Sequence, residues 1–154
     1  MTFDDFIQEY TKRGLIKKQE KNLKAVENLI SRAYKEIKVA EANIKIDEGI
    51  AFTIAYTAML HTGRALILFK GYRPHDGYQH KTVVDFASIV LGEHYKTLVR
   101  RFDNMRRKRN TFTYEANISI SEEEVRNGLE SAGNFIKAVR ELIEKEDPQY
   151  KFKF

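Results

Sequence analysis

Residues 47–70, DEGIAFTIAYTAMLHTGRALILFK, constrain this chain more than any other stretch. Wound as a helix they are apolar on nearly every side, so no face is left to turn to water. The length would suit a membrane span, but Thr53, Tyr56, Thr57, His61, Thr62 and Arg64 interrupt it. A guanidinium in hydrocarbon costs several kcal/mol, roughly 3 at the least. A helix buried among other helices satisfies both facts. The rest of the chain must then supply amphipathic helices to surround it, and Gly71 marks where it stops.

The remaining sequence supplies them. Thr2 caps a short helix over residues 3–12, with Asp4 and Asp5 in the first turn where the dipole favours anions, and Gly14 ends it. Residues 19–42 carry Leu23, Val26, Ile30, Ala33, Ile37 and Ala40 at spacings of three and four. After the loop GYRPHDGYQ at residues 71–79, a helix over 80–91 turns Val83, Val84, Phe86, Ala87 and Val90 inward. Another starts at Glu93 and shows Leu98, Phe102 and Met105. Residues 117–120 read as a brief extended connection. Ser121 and Glu124 then form a capping box for a last helix over 122–145, whose apolar face is Val125, Leu129, Ala132, Phe135, Ile136, Val139 and Leu142. The tail DPQYKFKF reads equally as a frayed end or an arm. The predicted fold is all-α, an up-and-down bundle of about five principal helices behind a short leading one. With 154 residues, two prolines and eight glycines there is little linker, and a single domain over 1–154 is expected.

Several kinds of chemistry drop out. Without cysteine there is no disulfide, thiolate nucleophile or thiolate zinc ligand, and a reducing cytoplasm is the expected home. The acidic start, with Asp4, Asp5 and Glu9, is not a signal peptide, and no membrane association is expected. His75, Asp76 and His80 lack zinc spacing, so neither metal nor cofactor is expected. The net charge of +5, from 27 basic and 22 acidic residues, permits an anionic partner without making the chain a polycation.

Distribution says more than the total. Arg100, Arg101, Arg106, Arg107, Lys108 and Arg109 crowd ten positions against one acid, Asp103. The apolar phase set by Leu98, Phe102 and Met105 continues onto Arg109 and Phe112, so Arg109 falls on the core side. A guanidinium there needs an ion pair, with Asp103, Asp85, Glu115 or a second subunit, or a wet cleft that takes a ligand. Arg106, Asn110 and Tyr114 follow at steps of four and form a ridge beside it, suited to phosphate and base contacts. Arg106, Arg107 and Lys108 read as a solvated face or as a nucleic-acid footprint. Thr53, Thr57, His61 and Arg64 share one stripe of the central helix, and His61 with Arg64 is either a core pair or part of a ligand site. Tyr72 and Tyr78 in the loop can stack on a ligand.

The segment FDNMRRKRNTFTYE resembles the signature of HEPN domains. LHTGRALILFKGYRPHDGYQHKTVVDFASIVLGE resembles that family's central helix, loop and following helix, and SEEEVRNGLESAGNFIKAVRELI its final one. The likeness is strongest over residues 50–143. It implies a helical bundle, usually a homodimer, that acts on RNA without metal or accompanies a small nucleotidyltransferase in toxin-antitoxin and defence systems. The nuclease members carry an arginine, a polar residue and then a histidine, and the matching positions are Arg109, Asn110 and Tyr114. Tyrosine replaces the histidine. A phenol with a pKa of about 10 is some three units too weak an acid to give a ready base near neutrality. Tyr114 is therefore expected to pack, or to stack on a base, and His61, His75, His80 and His94 are the candidates for any missing base. The expectation is a dimeric RNA- or nucleotide-binding domain, not an efficient nuclease, with Arg106, Arg107, Arg109, His61 and Arg64 as ligand residues. The alternatives are a metal-independent endoribonuclease using Arg109, Asn110 and Tyr114, and an interaction module for a nucleotidyltransferase antitoxin.

Overall fold

The computed structural model describes residues 1–75 and 80–152, which leaves Tyr78 and Asp76 outside the described residues. Among these the elements run α1 (Phe3–Lys12), β1 (Ile16–Lys18), α2 (Leu23–Asn43), α3 (Glu48–Phe69), β2 (Tyr72–Pro74), α4 (His80–Leu91), a 3₁₀ turn (Glu93–Tyr95), α5 (Lys96–Tyr114) and α6 (Glu122–Glu146). The fold is the expected all-α bundle. Helix α3 is its axis, packed against α2, α4, α5 and α6. Its apolar composition dictates that place: Ala51, Ala55, Tyr56, Ala58, Met59, Leu66 and Ile67 are all essentially inaccessible to water. By length and composition α3 also passes as a membrane span, yet 67% of its most apolar window is buried inside the protein.

Local chemistry moves the predicted boundaries. Helix α2 begins at Leu23 instead of 19, because the Asn22 side chain accepts from Ala25 N at 2.9 Å and so sets the N-cap. Ser121 caps α6 by accepting from Glu124 N at 3.1 Å, but the Glu124 carboxylate reaches toward Lys108, 3.6 Å away, and the capping box is half formed. The described part of the tail, to Phe152, is an arm: Tyr150 and Phe152 are buried, and Tyr150 sets its edge on Phe69 with ring centroids 5.4 Å apart.

The sequence reading omitted the two short strands, and it started α5 at Glu93 where a 3₁₀ turn precedes Lys96. Ile16–Lys18 pairs antiparallel with Tyr72–Pro74, in the register Ile16 opposite Pro74 and Lys18 opposite Tyr72. Gln19 N to Gly71 O and His75 N to Leu15 O, both 2.9 Å, extend the ladder at its two ends. Three residues are too few to display a period of two. The ladder nonetheless has a purpose in the fold, since it ties the segment after α1, with Arg13 and Leu15, to the loop that leads into α4.

Close packing of α4 on α3 rests on Gly63. A Cβ there would overlap the Val83 side chain of α4, with Phe102 of α5 just beyond. Gly63→Ala is expected to lower stability in urea unfolding by about 1–3 kcal/mol despite alanine's better helix propensity. Gly133 in α6 has nothing within 4 Å of such a Cβ. Gly133→Ala is expected to raise stability by about 0.5–1 kcal/mol, and equal effects at both sites would contradict the packing described.

Candidate functional site

Helix α5 buries Val99, Phe102 and Met105, and the next position in that phase is Arg109. Its guanidinium lies over the ring of Tyr56 in α3, 6.0 Å from the centroid. One turn on, Phe112 seats against the bare backbone at Gly49, where a Cβ would collide with the ring. The end of α5 is thus pinned to the first half of α3.

The ion pairs foreseen for Arg109 within the chain are not made. Asp103 is taken by Arg106 at 2.8 Å, Arg107 at 2.9 Å and Lys81 at 3.7 Å. Asp85 is taken by Lys81 at 3.0 Å and by the Tyr10 hydroxyl at 2.8 Å. Arg109 forms no salt bridge among the described residues. Its Nη1 donates to Asn110 Oδ1 at 3.2 Å, while its Nε is buried without a hydrogen-bond partner. A guanidinium placed this way keeps donor capacity for something else.

The space beside it is a cleft of about 490 Å³ lined by Arg13, Leu15, His80, Lys81, Thr82, Asp85, Arg106, Arg109, Asn110 and Tyr114. The ridge read from the sequence, Arg106, Asn110 and Tyr114 with Arg109, is therefore assembled on one wall. Tyr114 does not pack as one reading had it, for its ring is 82% exposed at the rim.

Of the four histidines, the fold brings His80 to this cleft. It starts α4, and its Nδ1 lies 2.9 Å from the hydroxyl of Tyr56. Burial raises the Tyr56 pKa well above the ordinary phenol value, against the charges of Arg109, Arg106 and Arg64, so the phenol keeps its proton. Two tautomers of His80 fit this contact: Nδ1 accepts from the Tyr56 hydroxyl, with the ring proton on Nε2, or Nδ1–H donates to the Tyr56 oxygen. Burial, then the charges of Arg109, Arg64 and Arg106, push the His80 pKa below its ordinary value and favour the neutral ring.

The neighbouring carboxylate is tuned in the opposite sense. Burial works against the Asp103 charge, but the hydrogen bond from Arg106 and the charges of Arg106, Lys81 and Arg107 outweigh it and hold the carboxyl below the usual range. Asp103 so fixes Arg106 along the cleft wall. Outside the cleft, Tyr10, which donates to the Asp85 carboxylate, is raised to about 12 by burial and by that bond.

Other predicted residues lie elsewhere. Arg107 is exposed and spent on Asp103, and Lys108 faces Glu124 of α6. His61 is paired to Glu36 of α2, Nδ1 to Oε1 at 2.7 Å. The polar stripe of α3 mostly satisfies itself, with Thr53 and Thr57 donating to carbonyls one turn back at 2.9 Å. Arg64 lines a different cleft. Sequence reasoning missed Tyr56, Arg13 and Lys81 as site residues, and had Asp85 only as an ion partner for Arg109. Tyr56 alone left a signal, as a tyrosine on a wholly buried helix needs a partner for its hydroxyl.

The model of the HEPN domain family matches residues 26–142, and it takes in α2 from Val26 onward as well as most of the 50–143 stretch that carries the resemblance. No curated protein sequence matches the chain.

The depressed pKa of His80 sets a pH dependence. Its folded value lies below the unfolded 6.5, so the unfolded chain binds the extra proton first as acid is added. The stability it supports is complete above that value and declines as pH falls through it. Two-dimensional NMR titration is expected to give a His80 midpoint below 6.5, moved upward by Arg109→Ala; a midpoint unmoved by that substitution would contradict the proximity of the two charges.

Proposed function

We propose that this chain, which belongs to the HEPN domain family, is an RNA-binding module that holds single-stranded RNA by its phosphates in the Arg109 cleft. The observation that carries the reading is the Arg109 guanidinium, which makes no salt bridge among the described residues, keeps a buried Nε without a hydrogen-bond partner and lines the cleft with Arg106 and His80. In the tautomer whose Nδ1 accepts from Tyr56, His80 joins Arg106 and Arg109 as a donor, and three donors on one cleft suit an anion. The one carboxylate that lines the cleft among the described residues, Asp85, is already engaged by Lys81 and Tyr10. Tyr114 at the rim supplies an exposed ring on which a base can stack.

The module acts as a cytoplasmic homodimer in a toxin-antitoxin or defence setting, with a small nucleotidyltransferase as partner. Family resemblance supports that part, together with exposed Ile46 and Ile50 beside the contact of Phe112 with Gly49. A second reading, a metal-independent endoribonuclease, is favoured by the neutral histidine standing in the cleft of Arg109. It requires the other tautomer, with Nδ1–H donating to Tyr56 and Nε2 open to take the proton of a 2′-hydroxyl.

Fluorescence anisotropy with a labelled single-stranded RNA across a salt series tests both. Binding is expected to weaken steeply with salt, about tenfold or more with Arg109→Ala and about fivefold or more with Tyr114→Ala. Absence of binding at low salt, or binding indifferent to Arg109→Ala, sinks the first reading. Cleavage in chelator that His80→Ala abolishes and Tyr114→Phe spares would move the conclusion to the second.

A further inference from the structure

We infer that the protein carries a second ligand site, for an α-amino acid with an aromatic side chain, in the groove between α5 and α6 over Phe52 of α3. The groove measures about 530 Å³ and shares no lining residue with the Arg109 cleft. That is within the size range of small-molecule sites, roughly 300–1,000 Å³.

Its walls converge, because the two helices run past each other in opposite directions. Lys108 Nζ lies 3.6 Å from Glu124 Oε2. One turn further along α6, a Cβ on Gly128 would come within 3.0 Å of Met105 Cε and 3.5 Å of the Phe52 ring. The same step leads to Arg101 on α5 and Ser131 on α6, both of which line the groove. Glycine keeps the floor open, so the buried Phe52 and Met105 meet bare backbone instead of a side chain. Two polar groups in this groove lack a partner. Glu124 Oε2 is buried without a hydrogen bond, since Lys108 stands too far off for one. Ser131 is 4% exposed and lines the groove, and its hydroxyl makes no hydrogen bond among the described residues. Polar groups enclosed in this way are ordinarily bonded.

The ligand follows from the pattern. Glu124 and Lys108 set a negative charge beside a positive one, and the ammonium and carboxylate of an amino acid present the same pair reversed. The ammonium supplies the donor that Glu124 Oε2 lacks. A side chain leaving that end crosses Met105, Gly128 and Phe52, a floor that an aromatic ring covers, and the Ser131 hydroxyl beyond it answers a phenol. Arg101 and Lys108 are balanced by Glu124 and Glu130, so a phosphate would meet two carboxylates here, and the groove does not extend the RNA surface.

Two-dimensional NMR of the whole chain titrated with L-phenylalanine tests the site, with phenethylamine and hydrocinnamate as arms that each lack one charge. L-Phenylalanine is expected to shift the amides around Lys108 and Gly128 with a Kd of about 1 mM or tighter, and either arm to bind about tenfold more weakly. L-Tyrosine is expected to bind about threefold tighter still, an advantage that Ser131→Ala removes while it leaves phenylalanine within about twofold. Glu124→Gln and Lys108→Gln are each expected to weaken phenylalanine about fivefold or more, while Arg109→Ala leaves it within about twofold. Circular dichroism establishes that the variants fold, and Lys108→Gln keeps the test open if Glu124→Gln does not. No shifts up to roughly 10 mM ligand, phenethylamine binding as tightly as the amino acid, or binding indifferent to either glutamine substitution overturns the inference. RNA binding at the Arg109 cleft is read separately and stands or falls without it.

Discussion

Four helices pack on α3 because α3 has no face to give to water. Met59, Leu66 and Ile67 are fully enclosed, and each such side chain is worth about 1.5–3 kcal/mol of burial. That gain is available only if α2, α4, α5 and α6 all turn apolar stripes toward the same axis. Small residues decide how closely they come. Gly63 admits Val83 of α4, and Gly49 admits Phe112 of α5. The geometry of the cleft therefore follows from packing before any functional group is considered: two helices held tightly to a third must bring their ends together.

Tyr56 is where the packing constraint turns into chemistry. Its ring is part of the core, tilted against Phe102 at 5.9 Å, yet its hydroxyl cannot be left unpaired there. His80 meets that need from the first position of α4, and Arg109 covers the ring from α5. One buried phenol thereby orients a histidine and seats an arginine from two different helices. The arrangement is ordered within the chain itself, because Asp103 holds Arg106 in place and Arg109 has no carboxylate partner among the described residues. Preorganised donors avoid the ordering cost that flexible surface cations meet on binding.

Much of this was legible in the sequence, and the limit is physical. Helix α3 announced itself by composition, and α5 by a phase that could be extended to Arg109 without knowing any contact. Both are local properties, set by residues three or four apart. The pairing of β1 with β2 spans more than fifty residues and three positions, so no period reveals it. His80 was one histidine among four, and only the antiparallel meeting of the loop with the segment after α1, together with Gly63, brings it beside Arg109. Tyr114 was misread in part for the same reason, since whether an aromatic at a helix end packs or stands in solvent depends on what chain passes over it.

The resemblance that sets Tyr114 where nuclease members carry a histidine has a further consequence once His80 is in view. A site that had both would place two imidazoles around one arginine. Here the single imidazole is held by a phenol whose proton burial will not release, and a phenol that donates to Nδ1 commits Nε2 to donating as well. Proton abstraction requires the reverse, and the reverse leaves the Tyr56 hydrogen without an acceptor in the core. That unsatisfied hydroxyl costs about 1–3 kcal/mol, which is the amount by which a bound 2′-hydroxyl would have to favour the other tautomer. Binding incurs no such cost. On the proposed reading, the balance between holding RNA and cutting it lies in the orientation of one hydrogen bond between α3 and α4, at a distance from Tyr114.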